Sequence, residues 1–193
     1  MRKLLTPIAV TVLLIAGVAA GNPPSPHSAV APKVGPPSPA AQGDQSVLQP
    51  YTSSDGRFYV QFPAGEVKQE TEPIPLTGSD SSTLYEFWVE SADESVSYMV
   101  MYNDYPPAYA NDGADAVLGR TRDGATKGKT MLSDMAISLN GVPGREFTAK
   151  DDTWNYTIRQ FLSGKRLYQL IVVSKLDHPG TLTSDFLNSF KIN

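Results

Sequence analysis

Residues 124 to 130 read Gly-Ala-Thr-Lys-Gly-Lys-Thr, the residue types that cradle nucleotide phosphates. A phosphate loop places four residues between its glycines and follows a strand; here three intervene and the pattern before them is helical. No nucleotide is expected. Serine chemistry needs a base within hydrogen-bond reach of the hydroxyl, yet His178 is the only histidine after residue 50, and no G-x-S-x-G elbow exposes a serine. His178 precedes Pro179, where a solvated loop histidine is the ordinary outcome. The chain has no cysteine, so a cysteine nucleophile, a thiolate zinc site and a disulfide scaffold are excluded. With His27 as the only other histidine, an all-histidine metal cage is excluded too.

Carboxylates are plentiful but fall where turns need them. Asp93-Glu94 and Asp151-Asp152 sit at expected turns, which aspartate favours by bonding nearby backbone amides. A carboxylate-dependent hydrolase needs one acid in an apolar pocket opposite another, and no spacing here announces that. Asn111 to Asp115 has a calcium-loop flavour without the EF-hand period or terminal glutamate, so helix capping accounts for it better. Asn155-Tyr156-Thr157 matches a glycosylation sequon but lies inside an expected strand. What remains is residues 102–109, Tyr-Asn-Asp-Tyr-Pro-Pro-Ala-Tyr, an aromatic loop stiffened by proline. Tyrosines lose little entropy on binding and offer an apolar face with a hydroxyl. Tyr102, Asp104, Tyr105 and Tyr109 are therefore binding candidates, with Trp154 beside Tyr156 on a later strand. The competing reading is that Tyr105 and Tyr109 only cap the edge of the core, and that Trp154 is packing.

These residues must be positioned by elements after residue 50, where aromatic and β-branched residues recur at period two. Asp55-Gly56 is a turn, and Phe58, Val60 and Phe62 then alternate as a first strand. Residues 83–89 and 96–102 alternate in the same way and read as neighbours joined through Ser91 to Ser95. The period changes to helical with Ala114, Val117, Leu118, Thr121 and Ala125, predicting a helix over 112–126 with Asp112 as cap. Four strands follow at about 131–139, 145–150, 154–162 and 166–174. Their turns are Asn140-Gly141 extended by Pro143-Gly144, then Asp151-Asp152, then Ser163-Gly164-Lys165. Connections that short force antiparallel neighbours. Leu170 to Val173 is apolar on both faces, so both faces of the sheet must be covered. The expected covers are the helix at 112–126 and a C-terminal helix carrying Leu182, Phe186 and Phe190, capped by Thr183 or Ser184. The fold class expected is α+β, a central antiparallel sheet of six to seven strands covered on both faces by helices.

The first twenty residues have cations at Arg2 and Lys3, an apolar stretch and a small-residue end at Val18, Ala19 and Ala20, the pattern of a secretory signal. The rival is an uncleaved anchor: Leu4 to Ala20 falls just short of the ~20 residues that span a bilayer. A lipid-bearing cysteine is absent. Cleavage after Ala20 removes two cations and no acid, taking the formal net charge from −4 to −6, so nucleic acid is a poor ligand. Residues 21–50 hold eight of the sixteen prolines and read as a disordered, solvated spacer. Within it, Pro36-Pro37-Ser38-Pro39 has the form of a polyproline docking peptide, which the extracytoplasmic setting disfavours. The domain is placed at 51–193, the expected location is periplasm, lumen or exterior, and membrane contact is expected only through an uncleaved N-terminal segment.

DGRFYVQFP at 55–63, YNDYPP at 102–107, LNGVPGREF at 139–147, RQFLSGKRLYQLIVV at 159–173 and FLNSFK at 186–191 together resemble the PsbP-like superfamily, which takes in the Mog-type proteins. The likeness spans 55–191 and rests on strands and turns in order, with no catalytic signature. It implies an antiparallel sheet between helical layers and a non-enzymatic role, since members of that superfamily act as accessory subunits, assembly factors or envelope proteins that bind proteins. The absence of a long basic docking loop argues against a photosystem role, and export argues against a Ran-type partner. The functional expectation is an exported, non-enzymatic protein-binding or accessory module on a flexible tether. A carrier of a small apolar or aromatic ligand near Tyr102, Tyr105 and Tyr109 is the alternative, and an envelope-glycan hydrolase the third. No cofactor and no metal is expected.

Overall fold

A computed structural model describes residues 47–76 and 81–193. The stretch read as signal and most of the spacer lie outside the described residues. In chain order the elements are β1 (Leu48–Ser53), β2 (Phe58–Pro63), β3 (Lys68–Pro75), β4 (Ser81–Glu90), β5 (Val96–Asp104), α1 (Pro107–Ala110), α2 (Ala114–Ala125), β6 (Thr130–Leu139), β7 (Val142–Lys150), β8 (Trp154–Ser163), β9 (Arg166–Lys175), α3 (Thr183–Ser189) and β10 (Lys191–Ile192). Strand β1 begins at Leu48, so sheet pairing takes in the last residues of the 21–50 stretch. Among the described residues no helix is long and apolar enough to cross a membrane.

Seven strands form one antiparallel sheet in the order β3-β4-β5-β9-β8-β7-β6. The meander from β6 to β9 follows from its turns. Asn140 (φ 50°) and Gly141 (φ 85°) take the two left-handed positions of a two-residue hairpin that matches strand twist. The loop after β7 is set by the Asp151 carboxylate, which accepts the Thr153 and Trp154 amides at 2.9 and 2.8 Å and the Tyr156 hydroxyl at 2.7 Å. Pro143 and Gly144 do not extend the turn; they already lie in β7. Gly144 is required there for another reason: a Cβ would stand 2.5 Å from both the Gln160 carbonyl oxygen and the Phe161 ring.

Strand β9 is buried at every position from 167 to 174, as its doubly apolar sequence requires. The covers differ from those expected. One face carries Val100, Tyr168, Leu170 and Val172 against Phe58, Val60 and Phe62 of a second sheet, three-stranded in the order β1-β2-β10, with α3 contributing Phe186 and Phe190. The opposite face is covered by α1 and α2, where Val117 and Leu118 meet Leu162 and Leu167. The expectation of helices on both faces is thus corrected: the molecule is sheet-rich, and one cover is mainly a small sheet. The reason is local. The sequence 58–62 alternates strongly, but its partner β1 carries Pro50 and β10 is only two residues long, so nothing in them announces a separate layer.

Helix starts also differ. The N-cap of α2 is Gly113, while Asp112 pairs with Arg120 at 2.8 Å; the N-cap of α3 is Leu182, and Thr183 Oγ1 instead donates to the Gly180 carbonyl at 2.7 Å.

Candidate functional site

The β4–β5 register sets Tyr85 opposite Tyr102, and the β5–β9 register sets Tyr102 opposite Tyr168, so three tyrosines cross the sheet on one face. Tyr85 and Tyr102 stack with centroids 4.6 Å apart and planes 9° from parallel; Phe87, one position along the same face of β4, lies 6.2 Å from Tyr102 at 11°. Tyr51 from β1 closes over them, 5.6 Å from Phe87. Beside this aromatic floor is an open cleft of about 390 Å³, with Ser54 and Asp55 on one lip and Gln69 and Thr71 of β3 on the other. Near-parallel stacking of Tyr85, Tyr102 and Phe87 rigidifies the floor, and Tyr51 and Tyr85 are half-buried, available at one edge.

Arg166 holds the cleft's shape. Its guanidinium donates two bonds to the Asp104 carboxylate, at 2.7 and 2.8 Å, and a third at 2.7 Å to the Asp55 carbonyl in the β1–β2 turn. It also stands 4.7 Å from the Tyr102 ring centroid. The Tyr168 hydroxyl donates to the Gly56 carbonyl at 2.8 Å, a second tie between the large sheet and the same turn. Arg166 as bond donor holds the Asp104 carboxyl below its ordinary range against the opposing effect of its partial burial. Burial pushes the Tyr102 hydroxyl up to about 12 in spite of the nearby Arg166 cation, so Tyr102 stays neutral and serves as a donor or an apolar ring. The cleft can grip an aromatic or apolar group and hydrogen-bond its edges.

The residues singled out from sequence do not gather in one place. Tyr102 and Asp104 alternate onto the cleft face, although Tyr102 itself is 3% exposed and forms floor rather than lip. Tyr105 crosses to the other face, where it stacks on Tyr109 at 6.2 Å and packs against the core under α2. Trp154 lies on that far face as well, with Lys175 5.9 Å from its ring. The pocket expected around Tyr102, Tyr105 and Tyr109 together is therefore corrected: Tyr105 follows Asp104 with its side chain on the opposite face, and Tyr109 belongs to α1, which covers that opposite face. Tyr51, Tyr85, Phe87 and Arg166 were missed. The signal for two of them was available, since Tyr85 and Phe87 alternate on a strand expected to neighbour 96–102.

Other titratable groups are arranged as structure. A second cleft, about 430 Å³, holds His178, Asp177, Asp93 and Ser91 near the opposite end of the sheet. There Ser91 and Ser95 hydroxyls both donate to Asp93, at 2.6 and 2.7 Å, and His178 Nδ1 sits 2.9 Å from its neighbour Asp177. The serines serve the turn and the histidine bonds the adjacent acid, which is not a nucleophile–base arrangement. On the far face Glu86 is raised to about 7, by burial first and then by Glu72 and Glu70 of the neighbouring strand. Lys129 of the phosphate-loop-like stretch donates to the Ala125 carbonyl at 3.1 Å and stands 4.8 Å from the Tyr156 ring centroid. Among the described residues no group of three His, Cys, Asp or Glu is placed to hold a metal.

No family model matches the sequence, and no curated protein matches it. By fold the chain is similar to cyanobacterial PsbP (CyanoP) from Synechocystis, solved in solution, with a TM-score of 0.50 at 14% identity, covering 80% of this chain and 97% of that one. The chain has the PsbP-like fold. Fainter likenesses are to a Bacteroides thetaiotaomicron protein (TM-score 0.37, 7% identity, 75% of this chain and 48% of that one) and to a Pseudomonas aeruginosa protein of unknown function (TM-score 0.28, 12% identity, 71% and 87%). In PsbP-like terms, the sequence blocks that carried the resemblance fall on β2, β5, the β6–β7 hairpin, the β8–β9 pair and α3.

Proposed function

We propose that this chain is an exported, non-enzymatic binding module that docks a protein partner in the cleft between β1 and β3. The observation that carries the reading is the aromatic floor built from Tyr85, Phe87 and Tyr102, held by the Arg166 ties and bordered by hydrogen-bonding lips. Preorganised aromatics with a polar rim are the composition of an interface anchor. A partner segment inserts an apolar or aromatic side chain over Tyr51 and Tyr85 and bonds Gln69, Thr71 and Asp55. Neither nucleic acid nor nucleotide suits a chain of net charge −4 with an aspartate at the lip. Membrane association, in this reading, comes only from the N-terminal apolar stretch where it is retained.

The test is capture. The tagged full chain, mildly crosslinked in its own cells, retains one defined protein, and Tyr85→Ala loses it while keeping its fold by circular dichroism. Recovery of background proteins alone from both forms overturns the proposal.

A small-ligand carrier is the second reading, favoured by one fact: about 390 Å³ lies inside the usual range of ligand pockets. Native mass spectrometry of chain purified from its host separates the two. A bound small mass supports the carrier; the bare chain mass with no thermal shift across aromatic ligands counts against it.

A further inference from the structure

The two edges of the seven-stranded sheet are built in opposite ways. Strand β3 carries Lys68, Glu70, Glu72, Pro73 and Pro75, the charges and prolines that stop an edge from accepting another strand. Strand β6 at the other edge, Thr-Met-Leu-Ser-Asp-Met-Ala-Ile-Ser-Leu, has no proline and one charge. That charge, Asp134, is neutralised within the chain by Arg122 at 2.5 Å and Arg145 at 2.6 Å. Met131, Leu132 and Met135 are 45, 56 and 53% exposed, and they are three of the five large apolar side chains exposed among the described residues. Met135, Ile137 and Leu139 share one face of the strand, the latter two half-buried against the core. A register shift between Met131 and Ser133 confines a regular outer ladder to 133–139.

From this asymmetry we infer that β6 pairs antiparallel with β6 of a second copy, joining two seven-stranded sheets across a two-fold axis near Met135 and Ala136. Charge selects the partner and the direction. Lys127 and Lys129 precede the strand and Lys150 lies opposite its first residue, and these three cations outnumber Asp151 and Asp152 of the adjoining turn, so that end carries a net positive charge. An antiparallel copy puts these two ends at opposite limits of the ladder; a parallel copy would set them together. The middle of the strand, with Asp134 already paired, brings no net charge to a copy of itself, and Met135 of each chain meets the Met135–Ile137 strip of the other.

The ladder is about 24 Å long at ~3.4 Å per residue. An edge of that length buries on the order of 500–1,000 Å² in all, below the size of a permanent interface, so the pair is weak and reversible.

Analytical ultracentrifugation of the full chain, in mild detergent to solvate residues 4–20, should show the mass rising from monomer towards dimer over about 10–500 μM. Met135→Lys should remain monomeric at the same concentrations with unchanged circular dichroism. Because the chain has no cysteine, single-cysteine variants give an independent reading. One of Ala136→Cys and Met135→Cys, whichever faces its own copy across the two-fold, should oxidise to a covalent dimer, since facing residues lie about 4.5–5.5 Å apart, within disulfide reach. Glu72→Cys, exposed on the guarded edge, should not. A monomer throughout the range, equal association by Met135→Lys, or dimers formed as readily by Glu72→Cys as by the β6 variants would overturn the inference.

Discussion

Replacing Arg166 by methionine keeps an apolar stem in place and removes every polar tie it makes. Three contributions are lost. The pair with Asp104 joins an arginine side chain 11% exposed to a carboxylate 35% exposed. At that exposure solvent screens the carboxylate, and the pair contributes about 1–1.5 kcal/mol. The bond to the Asp55 carbonyl adds about 1 kcal/mol, and the position over the Tyr102 ring about 0.5–1 kcal/mol. Arg166→Met should therefore lose about 2–4 kcal/mol in urea unfolding at pH 7, followed by circular dichroism. Asp104→Asn removes only the charged pair and should lose about 1–1.5 kcal/mol. The Asp104 carboxyl is held below its ordinary value of 3.8, so its contribution is fully present above that value and is lost as pH falls from there through the lowered folded-state value. As pH falls below 3.8 the difference between wild type and Asp104→Asn should shrink, while Arg166→Met remains the less stable. If Arg166→Met loses no more than Asp104→Asn at pH 7, the guanidinium does not tie the β1–β2 turn to the large sheet, and the account of how the cleft keeps its shape is wrong.

Two further perturbations test the packing of the large sheet away from that cleft. Glu86 has a folded-state value near 7 against an ordinary 4.5, so the native state holds the extra proton and stability falls as pH rises across that window. The full shift corresponds to about 3 kcal/mol, reduced to about 1–2 kcal/mol because the carboxyl is only half-buried. Glu86→Gln should flatten the dependence between pH 5 and pH 8 and be the more stable form at pH 8; parallel curves for the two chains would remove Glu86 as the cause. Gly144→Ala places a Cβ against the Gln160 backbone, which cannot rotate away, and should lose about 2–3 kcal/mol, seen as a melting temperature about 5–10 °C lower. An unchanged melting temperature would mean that β7 and β8 shift apart freely at that point.

The large sheet was legible because its strands announce themselves. Thr83 to Val89 and Val96 to Tyr102 alternate, Asn140-Gly141 fixes a hairpin, and the apolar run at 170–173 requires two covers. Strand β3 was not legible. Only Ile74 of its eight residues is buried, so it carries no hydrophobic period, and its pairing rests on the β4 backbone, with Ile74 in the core and the Lys68–Glu90 ion pair as its side-chain ties. The second sheet was hidden for a related reason, as β1 and β10 contribute little apolar surface and are held by β2. At the site, Tyr102 and Asp104 were found because they stand out, but nearness in sequence drew Tyr105 and Tyr109 into the same group. The end of β5 separates them: Tyr105 turns to the opposite face and Tyr109 sits on α1, which covers it. Arg166 gave no signal at all, because its partners Asp104 and Asp55 are distant in sequence and meet it only through the β5–β9 register.

Docking of a protein in the cleft between β1 and β3 is tested most directly by crosslinking from its lip. A photoreactive residue placed at Gln69, on the cleft's lip, should give one discrete heavier adduct when the full chain is irradiated in its own cells. The same residue at Asp115, exposed at the start of α2 on the far face, should give none. No adduct from Gln69, or the same adducts from both positions, would contradict the claim.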